Sequence, residues 1–470
     1  MVFSSAYFLL LFLPLVLLLY FTVPKRFRNL VILIGSIYFY TYGEKALVLV
    51  MLLSTIVDFK AGHLIEAGKK KLGLRLSIFT NLATLGIFKY FNFAKDNFEA
   101  LISSFGLDTA SFEVIPNIAL PLGISFYVFQ TMSYTIDVYR GDVKASRNFV
   151  EFATYVTMFP QLVAGPIVRY IDIQKEIANR NTTWFDFAKG AERFIIGLAK
   201  KMLIANTFAS LADQIFSFST NDISTPYAWL GVFAYAMQIY FDFSGYSDMA
   251  IGLGRMFGFT FLENFNYPYI SKSITEFWRR WHISLSTWFR DYLYIPLGGN
   301  RAGNNRTYFN LFVVFFATGL WHGAAWNFIV WGFLHGFFII LEKLGFNKVL
   351  AKLWSPLQHI YTLLVVLVGW VLFRAETLTY ALDYLKQMFV LSEGNTALGE
   401  YVNFFSITKE FMVVTIFAVL FSLPLYPFVE RKLKHTNFIY LRYASIIGLL
   451  AISIIYVASG SYNPFIYFRF

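Results

Sequence analysis

The sequence contains no cysteine. Disulfides, thiolate metal sites and a cysteine nucleophile are therefore excluded. Charge is scarce as well: only 14% of the 470 residues are Asp, Glu, Lys or Arg, against roughly 25% in an average soluble chain. There is no HExxH motif, and the histidines (His63, His282, His322, His335, His359 and His435) are spread too widely to point to a metal site. No internal repeat is visible, which weakens a reading based on the inverted repeats of many transporters. The first apolar run has no basic stretch before it and no small-residue cleavage site after it, so it reads as an uncleaved transmembrane helix and not as a secretory signal.

What is abundant is apolar surface. Hydrophobic residues make up 57% of the chain, and Phe alone occurs 55 times. A globular core could not hide this much, and water would not tolerate it exposed. Lipid accommodates it, because spans of about 20 apolar residues cross a bilayer. The net charge of +11 would fit nucleic acid, but its distribution does not. Lys25/Arg26/Arg28, Lys69/Lys70/Lys71/Arg75, Arg140/Lys144/Arg147 and Arg431/Lys432/Lys434 sit in short clusters beside apolar runs, the positive-inside pattern. These clusters would be cytoplasmic. The N-terminus would then lie outside, with Asp96, Glu99, Asp108 and Glu113 in an outside loop.

Apolar segments cover roughly 4–23, 29–43, 46–58, 74–93, 114–138, 152–168, 203–218, 227–257, 308–341, 357–373, 411–429 and 438–459. They amount to about ten to twelve membrane elements, some of them half-spans. No separable soluble domain stands out, so residues 1–470 read as one all-α membrane domain. "IALPLGISFYVF" and "MFPQLVAGPIVRY" place Pro121, Gly123, Pro160, Gly165 and Pro166 inside apolar runs. Broken helices at membrane depth survive inside protein or along a cavity. Simple kinks are the alternative.

Glu276 to Gly299 reads "EFWRRWHISLSTWFRDYLYIPLGG". At helical spacing Trp278, Trp281, Leu285, Trp288 and Tyr292 share one face, and Glu276, Arg280, Ser284, Thr287 and Asp291 another. This describes an amphipathic helix of the interfacial type, ended by Pro296 and the Gly298-Gly299 pair. His282, on the shoulder of the aromatic face, is either part of that anchor or is presented inward to a buried site. Tyr308 to Leu341 is almost unbroken apolar sequence. As one helix it would be about 50 Å long, against a hydrocarbon core of about 30 Å, so a break is expected near Gly319 and Gly323. His322 lies there, and an ionisable residue at membrane depth is a functional-site candidate. A neutral imidazole in such a place can take a proton from a hydroxyl nucleophile. A hydrogen-bonded core histidine is the plainer reading. "YFDFSGYSDMAIG" adds Asp242 and Asp248, which either line a path or lock helices together, with Arg255 as a partner for Asp248.

Together these motifs resemble the membrane-bound O-acyltransferase family. "EFWRRWHISLSTWFRDYLYIPLGGNRAGNNRT", "LWHGAAW", "YFDFSGYSDMAIG", "FPQLVAGPIVRY" and the C-terminal "NPFIYFRF" are similar to its bacterial branch of alginate and peptidoglycan O-acetyltransferases, over essentially the whole chain. The resemblance implies a ring of transmembrane and re-entrant helices around a central tunnel. It also implies His322 as catalytic base, with His282 as a second catalytic residue. Trp281, Arg290, Asp291, Trp321 and Asp242 are the candidate substrate-binding residues, and no metal is expected. The donor implied is acetyl-CoA, entering near the Arg-rich 279–306 segment, with no permanently bound cofactor. The acceptor would be an exopolysaccharide or peptidoglycan outside a bacterial cytoplasmic membrane, served by an extracytoplasmic acetyltransferase of the SGNH type. D-alanyl transfer to teichoic acid, by relatives that share the "RWHISLS" core, is an alternative. A transporter or flippase for a lipid-linked sugar and a recruiting scaffold are rivals of a different class.

Overall fold

The structure is a computed structural model. It describes all residues except Ala110, Ser111, Glu113, Ala302, 392–407, 426–427, 430–435 and 467–470, and the side chains of 436–438. The basic cluster at 431–434, His435 and the last four residues of the C-terminal motif lie outside the described residues. Among the described residues every regular element is a helix.

Among the described residues five helical stretches are long and apolar enough to cross a bilayer: Lys25–Glu66, Trp184–Ser217, Trp326–Leu350, Ser355–Arg374 and Ile439–Ala458. Shorter or interrupted helices fill the space between them. The chain begins with α1 (Leu13–Thr22), α2 (Arg28–Glu44), α3 (Val48–Glu66) and α4 (Lys70–Leu85), which runs through a π turn at Gly86–Tyr90 into α5 (Phe91–Ser104). The segment expected from residue 114 becomes helical only at α6 (Ile124–Arg140). Gly123 explains the delay. It is left-handed (φ 73°), and a Cβ there would lie 2.6 Å from the Leu162 carbonyl oxygen, a position that only glycine occupies without strain.

The second expected interruption is also real. After α7 (Phe149–Thr157), the one-turn α8 (Phe159–Leu162) stops, and non-helical backbone continues to α9 (Tyr170–Ala178). Residues 158–168 are all buried, as irregular backbone at membrane depth must be. The two interruptions touch at Gly123 and Leu162. They are cavity-lining breaks, and not simple kinks.

Next come α10 (Trp184–Ala199), which passes through a π turn into α11 (Asn206–Ser217), and the 32-residue α12 (Thr225–Met256). Asp242 and Asp248 on α12 are helix locks. Asp248 pairs with Arg193 and Lys200, each at 2.7 Å, and not with Arg255, which reaches Asp186 at 3.3 Å. Arg255 stands near the C-terminus of α12, about two turns past Asp248, where it meets the first turn of α10.

The segment 276–299 departs most from expectation. It is two short helices, α13 (Ile274–Arg280) and α14 (Ile283–Phe289), followed by a π turn at Arg290–Tyr294. Trp278, Trp281 and Trp288 are buried, so none is a headgroup-level anchor. The break at Trp281–His282 splits the supposed aromatic face. Trp278 and Trp281 pack into one core cluster, and Leu285, Trp288 and Tyr292 into another, where Trp288 stacks on Phe129 with ring centroids 3.7 Å apart.

The long apolar run breaks as its length requires. α15 (Asn304–His322) and α16 (Trp326–Leu341) form a hairpin that turns at Gly323–Ala325. A Cβ on Gly319 would fall 2.5 Å from the Phe328 carbonyl oxygen, so glycine there lets the two backbones approach. After α17 (Asn347–Leu350) come α18 (Ser355–Arg374), α19 (Leu378–Phe389), α20 (Lys409–Phe421) and α21 (Thr436–Ala458).

Candidate active site

His322 is the last residue of α15 and is buried. Aromatic edges surround its ring: Trp321 and Trp331 at 4.9 Å and Phe373 at 5.0 Å between centroids. The hairpin places Trp331 of α16 against it, and α18 supplies Phe373.

His282 comes from the break between α13 and α14. Its backbone is left-handed (φ 45°), a conformation uncommon for a side-chain-bearing residue and one that gathers at functional sites. Asn264 holds the break. Its carbonyl accepts the Ile283 N–H at 3.0 Å. Its Oδ1 accepts the Ser284 N–H at 3.2 Å and the Ser284 hydroxyl at 2.9 Å. An amide group facing a backbone N–H must present its oxygen. His282 Nδ1, 3.2 Å from that same Oδ1, therefore donates. In the neutral ring Nε2 is then an acceptor, and it has no hydrogen-bond partner among the described residues. The rings of His282 and His322 lie 6.5 Å apart.

Two cavities meet at His322. One is narrow and apolar and is walled by Ile239, Phe243, Trp281, Trp331, Trp370, Phe373 and Ile466. The other is also narrow and is lined by both backbone interruptions (Pro121 to Phe126 and Val163) together with Lys89 and Trp321. His322 lines both.

The expected site residues divide accordingly. His322, Trp281 and Trp321 line the cavities, and His282 packs behind them against Phe243 at 4.6 Å and Trp321 at 5.9 Å between ring centroids. Arg290 and Asp291 line neither cavity. Arg290 bonds Asp291 at 2.7 Å, and Arg169 bridges Asp291 at 2.7 Å and Asp172 at 2.8 Å. Asp242 lies just behind the apolar cavity. It pairs with Lys201 at 2.8 Å and accepts the Ile466 N–H at 3.0 Å, so it anchors Ile466, which lines the wall. Among the described residues no three His, Cys, Asp or Glu side chains gather to hold a metal ion.

Lys89 went unnoticed in the sequence, yet it lines the second cavity. Its ammonium donates to the Trp321 carbonyl, to the His322 carbonyl at 3.3 Å and to Ser125 Oγ at 3.1 Å. The available signal was a lone lysine within the apolar run 74–93. Trp331, Trp370 and Phe373 were also missed, because aromatic residues in so apolar a chain look like core.

The sequence pattern of the membrane-bound O-acyltransferase family matches residues 143–375, a stretch that holds both histidines. The chain is 43% identical to the probable alginate O-acetylase AlgI of Azotobacter vinelandii over 504 aligned positions, covering 100% of both chains. It is 31% identical to the peptidoglycan O-acetyltransferase of Helicobacter pylori over 525 positions, covering 100% of this chain and 98% of that one. Similarity to the teichoic acid D-alanyltransferase of Bacillus subtilis is 29% and covers 53% of this chain and 65% of that one. With its membrane-crossing helices and these relatives, the chain belongs to the membrane-bound O-acyltransferase family and is a multi-pass membrane enzyme of O-acyl transfer.

Proposed function

We propose that the chain takes acetyl from cytoplasmic acetyl-CoA and passes it across a bacterial cytoplasmic membrane for O-acetylation of an extracytoplasmic polysaccharide, with His322 as general base. One observation carries this reading: His322 is shared by two cavities, one walled by apolar and aromatic side chains and the other adding the Lys89 ammonium and the Ser125 hydroxyl to a mainly apolar lining. An acyl group on its thioester arm suits the aromatic cavity, and an accepting hydroxyl suits the side lined by Lys89 and Ser125. His322 takes the hydroxyl proton, the oxygen attacks the thioester carbonyl, and the proton leaves with the thiolate as free CoA. The C–O bond forms as the C–S bond breaks, so no other reactant is needed.

His282 has a different part. With Nδ1 committed to Asn264, Nε2 accepts a hydrogen bond in the neutral ring and does not donate to an oxyanion. Its role is positioning: the ring supports Phe243 and Trp321, which line the two cavities. The alginate and peptidoglycan activities of the relatives that align over their whole length favour a polysaccharide acceptor over D-alanyl transfer, whose relative aligns over about half of this chain. An extracytoplasmic acetyltransferase would receive the acetyl group, and the N-terminus would face that side.

The test is reconstitution in vesicles with labelled acetyl-CoA on the cytoplasmic side and alginate or peptidoglycan fragments, plus the partner acetyltransferase, on the other. Ester label on the polymer supports the reading. Movement of an intact sugar lipid with no CoA release would contradict it.

A further inference from the structure

We propose that Lys89 is a positioning residue for His322, acting through the end of the helix that carries it. A helix leaves its last carbonyls without intrahelical partners. α15 ends at His322, and the next residue, Gly323, is extended (φ −161°). The left-handed glycine that commonly closes a helix is therefore absent. Two consecutive side chains from another part of the chain take its place. Tyr90 donates its hydroxyl to the Leu320 carbonyl at 2.8 Å. Lys89 donates to the Trp321 carbonyl and, at 3.3 Å, to the His322 carbonyl. Three successive carbonyls are thus capped from outside the helix.

The capping pair sits at the end of the π turn Gly86–Tyr90. Such turns insert a residue into a helix and gather at functional sites. Here the wider turn lets adjacent residues reach one helix end. The third partner of Lys89 is Ser125 Oγ, at 3.1 Å on the first turn of α6. Lys89 is buried and forms no salt bridge among the described residues. Its charge is met by the negative end of α15 and by a hydroxyl. One ammonium therefore ties the His322 helix end to α6 and lines the same cavity as the imidazole.

Lys89 touches the His322 backbone and not its ring, so its effect on the reaction runs through placement. Misplacing a reacting group by about 1 Å costs on the order of 100-fold in rate. The kinetic readout rests on the proposed acetyl transfer; a chemical readout does not. The full-length protein in detergent is prepared as wild type, Lys89→Met and Lys89→Arg. Carbethoxylation of His322 by diethyl pyrocarbonate is followed by peptide mass spectrometry, beside kcat and KM for CoA release.

Lys89→Met should change the His322 modification rate several-fold and lower kcat about 100-fold, with KM for the donor nearly unchanged. Lys89→Arg keeps charge and donors but replaces a compact ammonium with a planar fork, so it should fall between the two. If Lys89→Met does not fold, Lys89→Arg carries the test alone. Wild-type modification rate and wild-type kcat in a folded variant would overturn the proposal. An altered modification rate in a protein whose wild type releases no CoA would keep the positioning role and refute acetyl-CoA as donor.

Discussion

The imidazole rings of His282 and His322 lie 6.5 Å apart and meet at 62°. Each is delivered by a break in a helix: His282 by a left-handed residue between α13 and α14, His322 by the turn between α15 and α16. The first break depends on one amide. Asn264→Ala should leave His282 Nδ1 and the Ser284 N–H and hydroxyl without their shared acceptor. Unmet buried polar groups cost about 1–3 kcal/mol each. A lower melting temperature and at least a tenfold fall in turnover are expected, measured by thermal shift in detergent and by CoA release. A variant with unchanged stability and rate would show that the tie to Asn264 is dispensable.

The walls of the apolar cavity predict acyl-chain selectivity. Phe373 touches the His322 ring and faces the same cavity as Trp331 and Trp370. Phe373→Ala should admit longer acyl groups. Each methylene accommodated in an apolar pocket is worth about 1–3 kcal/mol, so the propionyl-to-acetyl rate ratio should rise at least tenfold. Competition between the two CoA thioesters measures it. An unchanged ratio would place the acyl group elsewhere.

The buried pair Lys201–Asp242 predicts a stability effect. Removing one partner of a buried ion pair costs about 3–5 kcal/mol, while replacing both costs less. Lys201 also bonds the Pro464 carbonyl, and Asp242 holds the Ile466 N–H. Asp242→Asn should therefore destabilise the protein and free the 461–466 segment for protease cleavage. The double variant Lys201→Met, Asp242→Asn should recover part of the melting temperature. Equal stability of all three proteins would show that the pair carries no load.

The hairpin of α15 and α16 predicts an overpacking effect. A Cβ on Gly319 would meet the Phe328 carbonyl at 2.5 Å, and overpacked contacts cost about 1–3 kcal/mol. Gly319→Val should lower the melting temperature and, by moving α15, reduce turnover with it. A melting curve that matches wild type would show that the hairpin can open without penalty.

The helical class, the membrane setting and the hairpin turn at His322 were legible because they follow from length and apolarity. A run from 308 to 341 cannot remain straight across a bilayer. Proline and glycine marked both cavity-lining interruptions for the same kind of reason. The stretch 276–299 misled because its spacing fits a continuous helix, while Asn264, which fixes the break at His282, lies outside the stretch. Arg255 was paired with Asp248 by sequence proximity, but Arg193 and Lys200 arrive from the packed faces of neighbouring helical turns. Lys89 was missed because two of its three partners are backbone carbonyls, which carry no residue signature. The cavity walls were missed because tryptophan and phenylalanine line cavities and fill cores alike.

The central claim is that His322 activates a hydroxyl toward a thioester. The most direct measurement is release of free CoA from labelled acetyl-CoA by purified protein, wild type beside His322→Ala, with an acceptor hydroxyl supplied and the label followed into product. The account predicts turnover and O-acetyl product with wild type, and loss of both by a factor of about 100 or more in a folded His322→Ala protein. Equal CoA release and equal O-acetylation by the two proteins would contradict it.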